Sequence, residues 1–176
     1  MAITNQERIG KALELLRQGI APFIEREFKN TFKKDAEDEA LRFVGDDRNA
    51  ASTHVAEWDV ALLLKLIWAS WNAVLSKTLG NAERSLVQEM RDVRNSWAHQ
   101  KAFTSDDTDR ALDSIARFLT AISAPQADDV AKMKQELRRL IYDEQVRAEK
   151  RKASGSLIDT GVSSSMKPWR EVVTPH

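Results

Sequence analysis

Arg91-Asp92-Val93-Arg94-Asn95-Ser96-Trp97-Ala98-His99 is the stretch on which the reading of the chain turns. The spacing predicts a helix from about Ala82 to about Ala102, because Leu86, Met90, Val93 and Trp97 recur as i, i+4, i+7, i+11. At about 100° per residue, Asn95 and His99 fall roughly 150–170° from the centre of that apolar stripe, and Arg91 roughly 130°. Arg94 lies on the flank, roughly 70° away. A histidine, an amide one turn before it and two arginines therefore point away from the helix's own core.

Two explanations compete for this arrangement. In the plainer one, Arg91 and Arg94 are ordinary solvated charges and His99 complements the negative end of the helix dipole. In the other, the group is built for phosphate chemistry. Arginine offers a planar fork of donors matched to phosphate oxygens, and histidine gives and takes protons near neutral pH. Asn95 is placed to orient the imidazole or to donate to a phosphate oxygen. Arg94 and His99 diverge by roughly 140° and stand about 7.5 Å apart along the axis. A single copy is thus awkward, whereas two copies across a two-fold axis line one cleft with paired arginines, asparagines and histidines.

Arg94-Asn95-Ser96-Trp97-Ala98-His99 resembles the arginine, polar residue, three spacers, histidine signature of HEPN domains (higher eukaryotes and prokaryotes nucleotide-binding). Glu7-Arg8-Ile9-Gly10 and Pro22-Phe23-Ile24-Glu25-Arg26-Glu27 are similar to a subgroup found in a eukaryotic nuclear RNA endonuclease and at the N-terminus of large bacterial AAA-type ATPases. The likeness covers roughly residues 4–125. It implies an all-α, antiparallel up-down bundle that forms a homodimer through its motif helices and binds RNA. Active members are metal-independent endoribonucleases, and the activity expected of this chain is such cleavage in a setting of bacterial phage defence. Carried over, His99 is the general acid/base, Arg94 the phosphate clamp and Asn95 the polar catalytic position. A tyrosine that marks one toxin subgroup is Lys101 here. Many HEPN domains bind without cutting, so a dimerisation or recruitment module ahead of an ATPase stays open. The chain itself has no phosphate-binding GxxxxGK[ST] loop.

Composition narrows the choices. With 176 residues, one domain of residues 1–152 and a linker or tail over residues 153–176 is expected, possibly leading to a further domain. No cysteine is present, so disulfides, thiolate metal sites and a cysteine nucleophile are excluded, and no cofactor or metal is expected. Lys and Arg number 27, as do Asp and Glu, so RNA must be met by a local patch and not a global field. Met1–Gly10 is polar, and the apolar run Val60–Ala69 is broken by Lys65 and too short to span a bilayer, which points to a cytoplasmic protein.

Along the chain, Thr4 or Asn5 is placed to cap a first helix, which Gly19 and Pro22 are expected to bend near Ala21. Leu41, Phe43 and Val44 suggest a short helix before a turn at Gly45-Asp46-Asp47. Glu57–Leu79 reads as a central helix with core tryptophans Trp58, Trp68 and Trp71. Its one polar or small stripe, Lys65, Ala69, Asn72 and Ser76, is either its least packed face or the face opposite the motif helix. In the latter case Lys65 and Asn72, with Arg91 and Lys101, are candidate nucleic-acid contacts. Thr104-Ser105-Asp106-Asp107 opens a helix to about Ser123, and another is expected from Gln126 to Lys152 with a basic end. Ala153–Pro168 lacks periodicity and reads as a linker before Trp169. His54 and His176 have no evident partner for the motif.

Overall fold

The structure is a computed structural model that describes residues 2–47, 50 and 54–165. The described residues are helical, without strands: α1 (Asn5–Phe32), α2 (Ala36–Val44), α3 (Val60–Ala69), α4 (Asn81–Ala98), α5 (Ser105–Ala121) and α6 (Gln126–Ser165). The chain divides into two units, Met1–Leu137 and Arg138–His176.

In the first unit α1 is the spine. Thr4 caps it, with the Glu7 side chain returning to the Thr4 amide at 2.7 Å. The helix runs unbroken through Gly19 and Pro22, where the sequence suggests a bend and a second piece. An interior proline costs about 3 kcal/mol. Ile20, Ala21, Phe23 and Ile24, buried on both sides of it, hold the helix together. α4 runs antiparallel to α1, since Gln6 meets Trp97. α5 returns antiparallel to α4, because Glu89 reaches Ser114 at 2.6 Å while Ser96 and Asp107 line one groove farther along. The Thr104 cap and its Asp107 partner start α5 where the sequence places them.

α5 therefore runs beside α1 in the same direction, with Asn5 at Phe103 and Gly19 at Leu119. A Cβ on Gly19 would stand 2.5 Å from the Leu119 Cδ2, which is why glycine occupies that position.

α3 is buried nearly all round through Leu62, Leu63, Leu64, Leu66 and Ile67, against α1, α2 and α4. It stops at Ala69, not at Leu79 as the hydropathy suggests. Ser70 is fully buried and donates its hydroxyl at 2.6 Å and its amide at 2.9 Å to the Leu66 carbonyl, while the next amide, that of Trp71, turns to the Trp68 carbonyl at 3.5 Å and ends the ladder. Turns and a short 3₁₀ segment, Leu75–Lys77, then lead to α4. Trp58 and Trp71 are core residues as expected, but Trp68 is only half-buried.

Val130 and Leu137 bury the start of α6 in the first unit. In the second unit the helix continues to Ser165, across residues read as a linker. Extending a nucleated helix is far cheaper than starting one, so weak formers are carried along. The basic run Arg147 to Lys152 is consequently interior to a helix and does not complement its end. Trp169 and His176 lie outside the described residues. Among the described residues no helix is long and apolar enough to cross a membrane.

Two stability measurements follow from this arrangement. Gly19→Ala is expected to lower stability by about 1–3 kcal/mol through overpacking, despite a gain of about 1 kcal/mol in helix propensity. In a Leu119→Ala background the same change should become stabilising in urea denaturation. Glu7, Glu89 and Asp107 are held below their ordinary carboxylate values. The Thr4 backbone amide does this for Glu7, and the hydroxyls of Ser114 and Thr104 for Glu89 and Asp107. A carboxyl more acidic in the folded than in the unfolded chain stabilises above the unfolded value. That stability is lost as pH falls through the folded one. Thermal melts should hold level from about pH 7 to 5 and drop below about pH 4, less steeply in Glu89→Gln.

Candidate nucleic-acid interface

The motif helix is oriented by its two faces. Leu86, Val87 and Met90 are buried, and Val93 and Trp97 partly so. Trp97 is fixed against the start of α1. Its indole Nε1 donates to the Gln6 carbonyl at 3.1 Å, and the Gln6 side-chain amide donates to the Trp97 carbonyl at 3.0 Å. Gly10 makes room for the ring, since a Cβ there would lie 3.2 Å from it. Asn5 donates to the Phe103 carbonyl at 3.1 Å and accepts from the buried Arg8 at 3.0 Å, tying the loop after α4 to the same helix. Of these N-terminal residues, Arg8 and Gly10 enter the sequence reading through a family likeness and Asn5 as a cap candidate, whereas Gln6 does not enter it. Their local signal, a glycine one helical turn after a glutamine, carries no periodicity.

α4 ends at Ala98, about one turn earlier than the apolar spacing suggests. Gln100 adopts the left-handed conformation, φ 54°. The Lys101 amide then donates to the Ser96 carbonyl and the Gln100 amide to the Trp97 carbonyl, both at 3.0 Å. This closure usually uses glycine, which is why the stop is not legible in Trp97-Ala98-His99-Gln100. His99 is consequently the capping residue, its amide donating to the Asn95 carbonyl at 3.0 Å, and its side chain is exposed.

Asn95 is exposed as well. Arg94 is partly buried, with a guanidinium nitrogen 3.8 Å from Asp59. Asp59 also caps α3 by accepting from the Leu62 amide at 2.9 Å. Lys65 on α3 pairs with Asp47 at 2.9 Å. Lys65, Arg91, Arg94 and Asn95 line one cleft of about 300 Å³ between α3 and α4, with Asp47 at its edge.

Of the candidate residues, then, the structure brings these four together. It does not bring in three others. His99 is absent from the lining of that cleft. Asn72 follows the end of α3 at Ala69, so the register that aligned it with Lys65 is lost, and it is exposed in a turn. Lys101 faces other grooves, one of about 710 Å³ with Gly10 and Trp97 and one with Asp107 and Arg110. His54 pairs with Glu37 on the surface at 3.2 Å, away from the motif.

Residues 11–123, well over half of the chain and including the whole of α4, match the family model described as Swt1-like HEPN. The chain belongs to the Swt1-like HEPN family. No curated protein and no solved structure matches it. As a HEPN domain it falls within a class defined by nucleotide binding, and the all-α bundle is the fold that membership implies. The match begins at Lys11, so the residues that seat Trp97, Gln6 and Gly10, lie just ahead of it.

Substituting Gln100→Gly removes a left-handed side chain and is expected to stabilise this HEPN domain by about 1 kcal/mol. Denaturant unfolding measures it. No gain would mean that Gln100 makes compensating contacts.

Proposed function

We propose that this HEPN domain binds single-stranded RNA and cleaves it without a metal ion, from a site completed by a second copy of the chain. The observation that carries the reading is the cleft formed by Lys65, Arg91, Arg94 and Asn95, with an exposed His99 one turn beyond it. The cleft holds cations and an amide suited to a phosphodiester but no proton-transfer group of neutral pH range, while His99 is solvent-facing and available to another molecule's cleft.

In this mechanism one imidazole takes the proton of a ribose 2′-hydroxyl. The 2′-oxygen attacks the adjacent phosphorus and the bond to the 5′-oxygen breaks. The leaving oxygen takes a proton from the second copy's His99, and the products carry a 2′,3′-cyclic phosphate and a 5′-hydroxyl. Arg94 stabilises charge developing on the non-bridging oxygens, and Asn95 holds the phosphate or the imidazole. Lys65 and Arg91 bind flanking phosphates. Asn72 and Lys101, absent from the lining of the cleft, rank behind them as contacts. The setting we attach to this activity is phage defence.

One observation favours a second reading, a non-catalytic dimerisation or recruitment module joined to a larger machine such as an ATPase. Arg94 and Lys65 already face Asp59 and Asp47 within the domain, so part of the cleft's charge is neutralised. RNA must displace these carboxylates, whereas a recruitment module leaves them in place.

Labelled single-stranded RNA incubated with the purified chain in excess chelator separates the two. Cleavage should occur, should leave cyclic phosphate ends, and should fall by about 10²-fold or more in His99→Ala. Oligomeric state by light scattering should be the same dimer in both. A ribose lacking its 2′-hydroxyl should resist. Cleavage that survives His99→Ala or needs magnesium contradicts the mechanism, and a dimer that leaves RNA intact supports the recruitment reading.

A further inference from the structure

Trp68 carries two guanidiniums. The Arg84 Cζ stands 4.8 Å from its ring centre and the Arg91 Cζ 5.3 Å, both within cation–π range. The two arginines come from α4, seven residues and about 10.5 Å of helix apart, so one indole from α3 joins them. Neither has a carboxylate partner among the described residues, and the Arg84 Nε is buried without a hydrogen-bond partner. Arg84 also lies in the first turns of α4, where a cation opposes the positive end of the helix dipole. Its position is therefore costly in two ways, and an anion drawn onto the same guanidinium offsets both.

The pair does not stand alone. Arg84, Gln88, Arg91 and Asn95 follow i, i+4, i+7, i+11 and share one side of α4, within roughly 60° of each other. Arg91 lines the Arg94 cleft as well as touching Trp68, so the two features meet at that residue. Guanidiniums resting on a ring keep donor edges for phosphate oxygens.

We propose that Arg84 and Arg91, seated on Trp68, form a second phosphate-binding station that extends the RNA path from the Arg94 cleft toward the start of α4. The occupant is the backbone of a single strand long enough to reach both stations. This rests on the RNA-binding reading above. It assigns Arg84 and Trp68, neither of which belongs to the signature.

The test is fluorescence anisotropy on the full chain carrying His99→Ala, which keeps the RNA intact, with labelled oligouridines of three and twelve nucleotides. Adding Arg84→Gln should weaken the twelve-mer about five- to tenfold and reduce its logarithmic salt slope by about 0.7, leaving the trimer unchanged. Trp68→Leu should act in the same direction. Arg84→Gln, a partly exposed position, keeps the test decisive if Trp68→Leu does not fold. Unchanged twelve-mer affinity in Arg84→Gln, with the parent binding normally, overturns the second station and leaves the proposed function standing. Binding of neither oligonucleotide by the parent overturns both. Poly-glutamate bound as tightly, with the same Arg84 dependence, overturns RNA as the occupant in favour of an acidic protein surface.

Discussion

The rotation of α4 about its own axis is the constraint on which the candidate site depends. Trp97 sets it. The reciprocal bonds between Trp97 and Gln6, with the ring lodged over Gly10, hold one end of the helix against α1. Leu86, Val87 and Met90 hold the other end in the core. With that face committed, Arg84, Arg91 and Asn95 have no direction left but outward, beside α3. A helix turned by one residue would swing its polar side by about 100°, bring charged residues toward the core and break the Trp97–Gln6 bonds.

The candidate site is completed by α3, which lies alongside. Lys65 and Trp68 supply a cation and an aromatic surface, and Asp59 links the α3 cap to Arg94. The Asp59 and Asp47 carboxylates hold Arg94 and Lys65 in place in the free protein. Both pairs are partly exposed, so each contributes little stability and yields readily to a stronger anion. Arg84 and Arg91 rest on an aromatic ring with no carboxylate among the described residues, Arg91 donating besides to the Gln88 side chain at 3.5 Å. The cationic side of α4 thus grades from paired to unpaired charge along its length.

Much of this was legible in the chain. The apolar spacing from Leu86 to Trp97 gives the orientation of α4 correctly, and Thr104 with Asp107 marks the start of α5. The spacing of Lys65 leaves two readings open, a poorly packed face or the face opposite the motif helix, and the structure places it with Arg91 and Arg94 in one cleft. Four features resisted because their causes are tertiary or conformational. α3 stops where the Trp71 amide leaves the ladder for the Trp68 carbonyl, so the stripe that carried Asn72 to the site is broken. α4 stops where Gln100 does what glycine ordinarily does. α1 continues through Pro22 because core packing on both sides outweighs one missing bond. Trp68 was read as core because bulk and hydrophobicity say nothing about which cations will rest on a ring.

The central claim is that one side of α4 meets RNA while the opposite side stays locked to α1. Side-chain NMR of the ¹⁵N-labelled chain titrated with single-stranded RNA tests it directly. The Arg91 and Arg94 Nε and Asn95 amide signals should move together while the Trp97 indole and Gln6 amide signals hold still. Movement of Trp97 and Gln6 with Arg91, Arg94 and Asn95 unperturbed would contradict it.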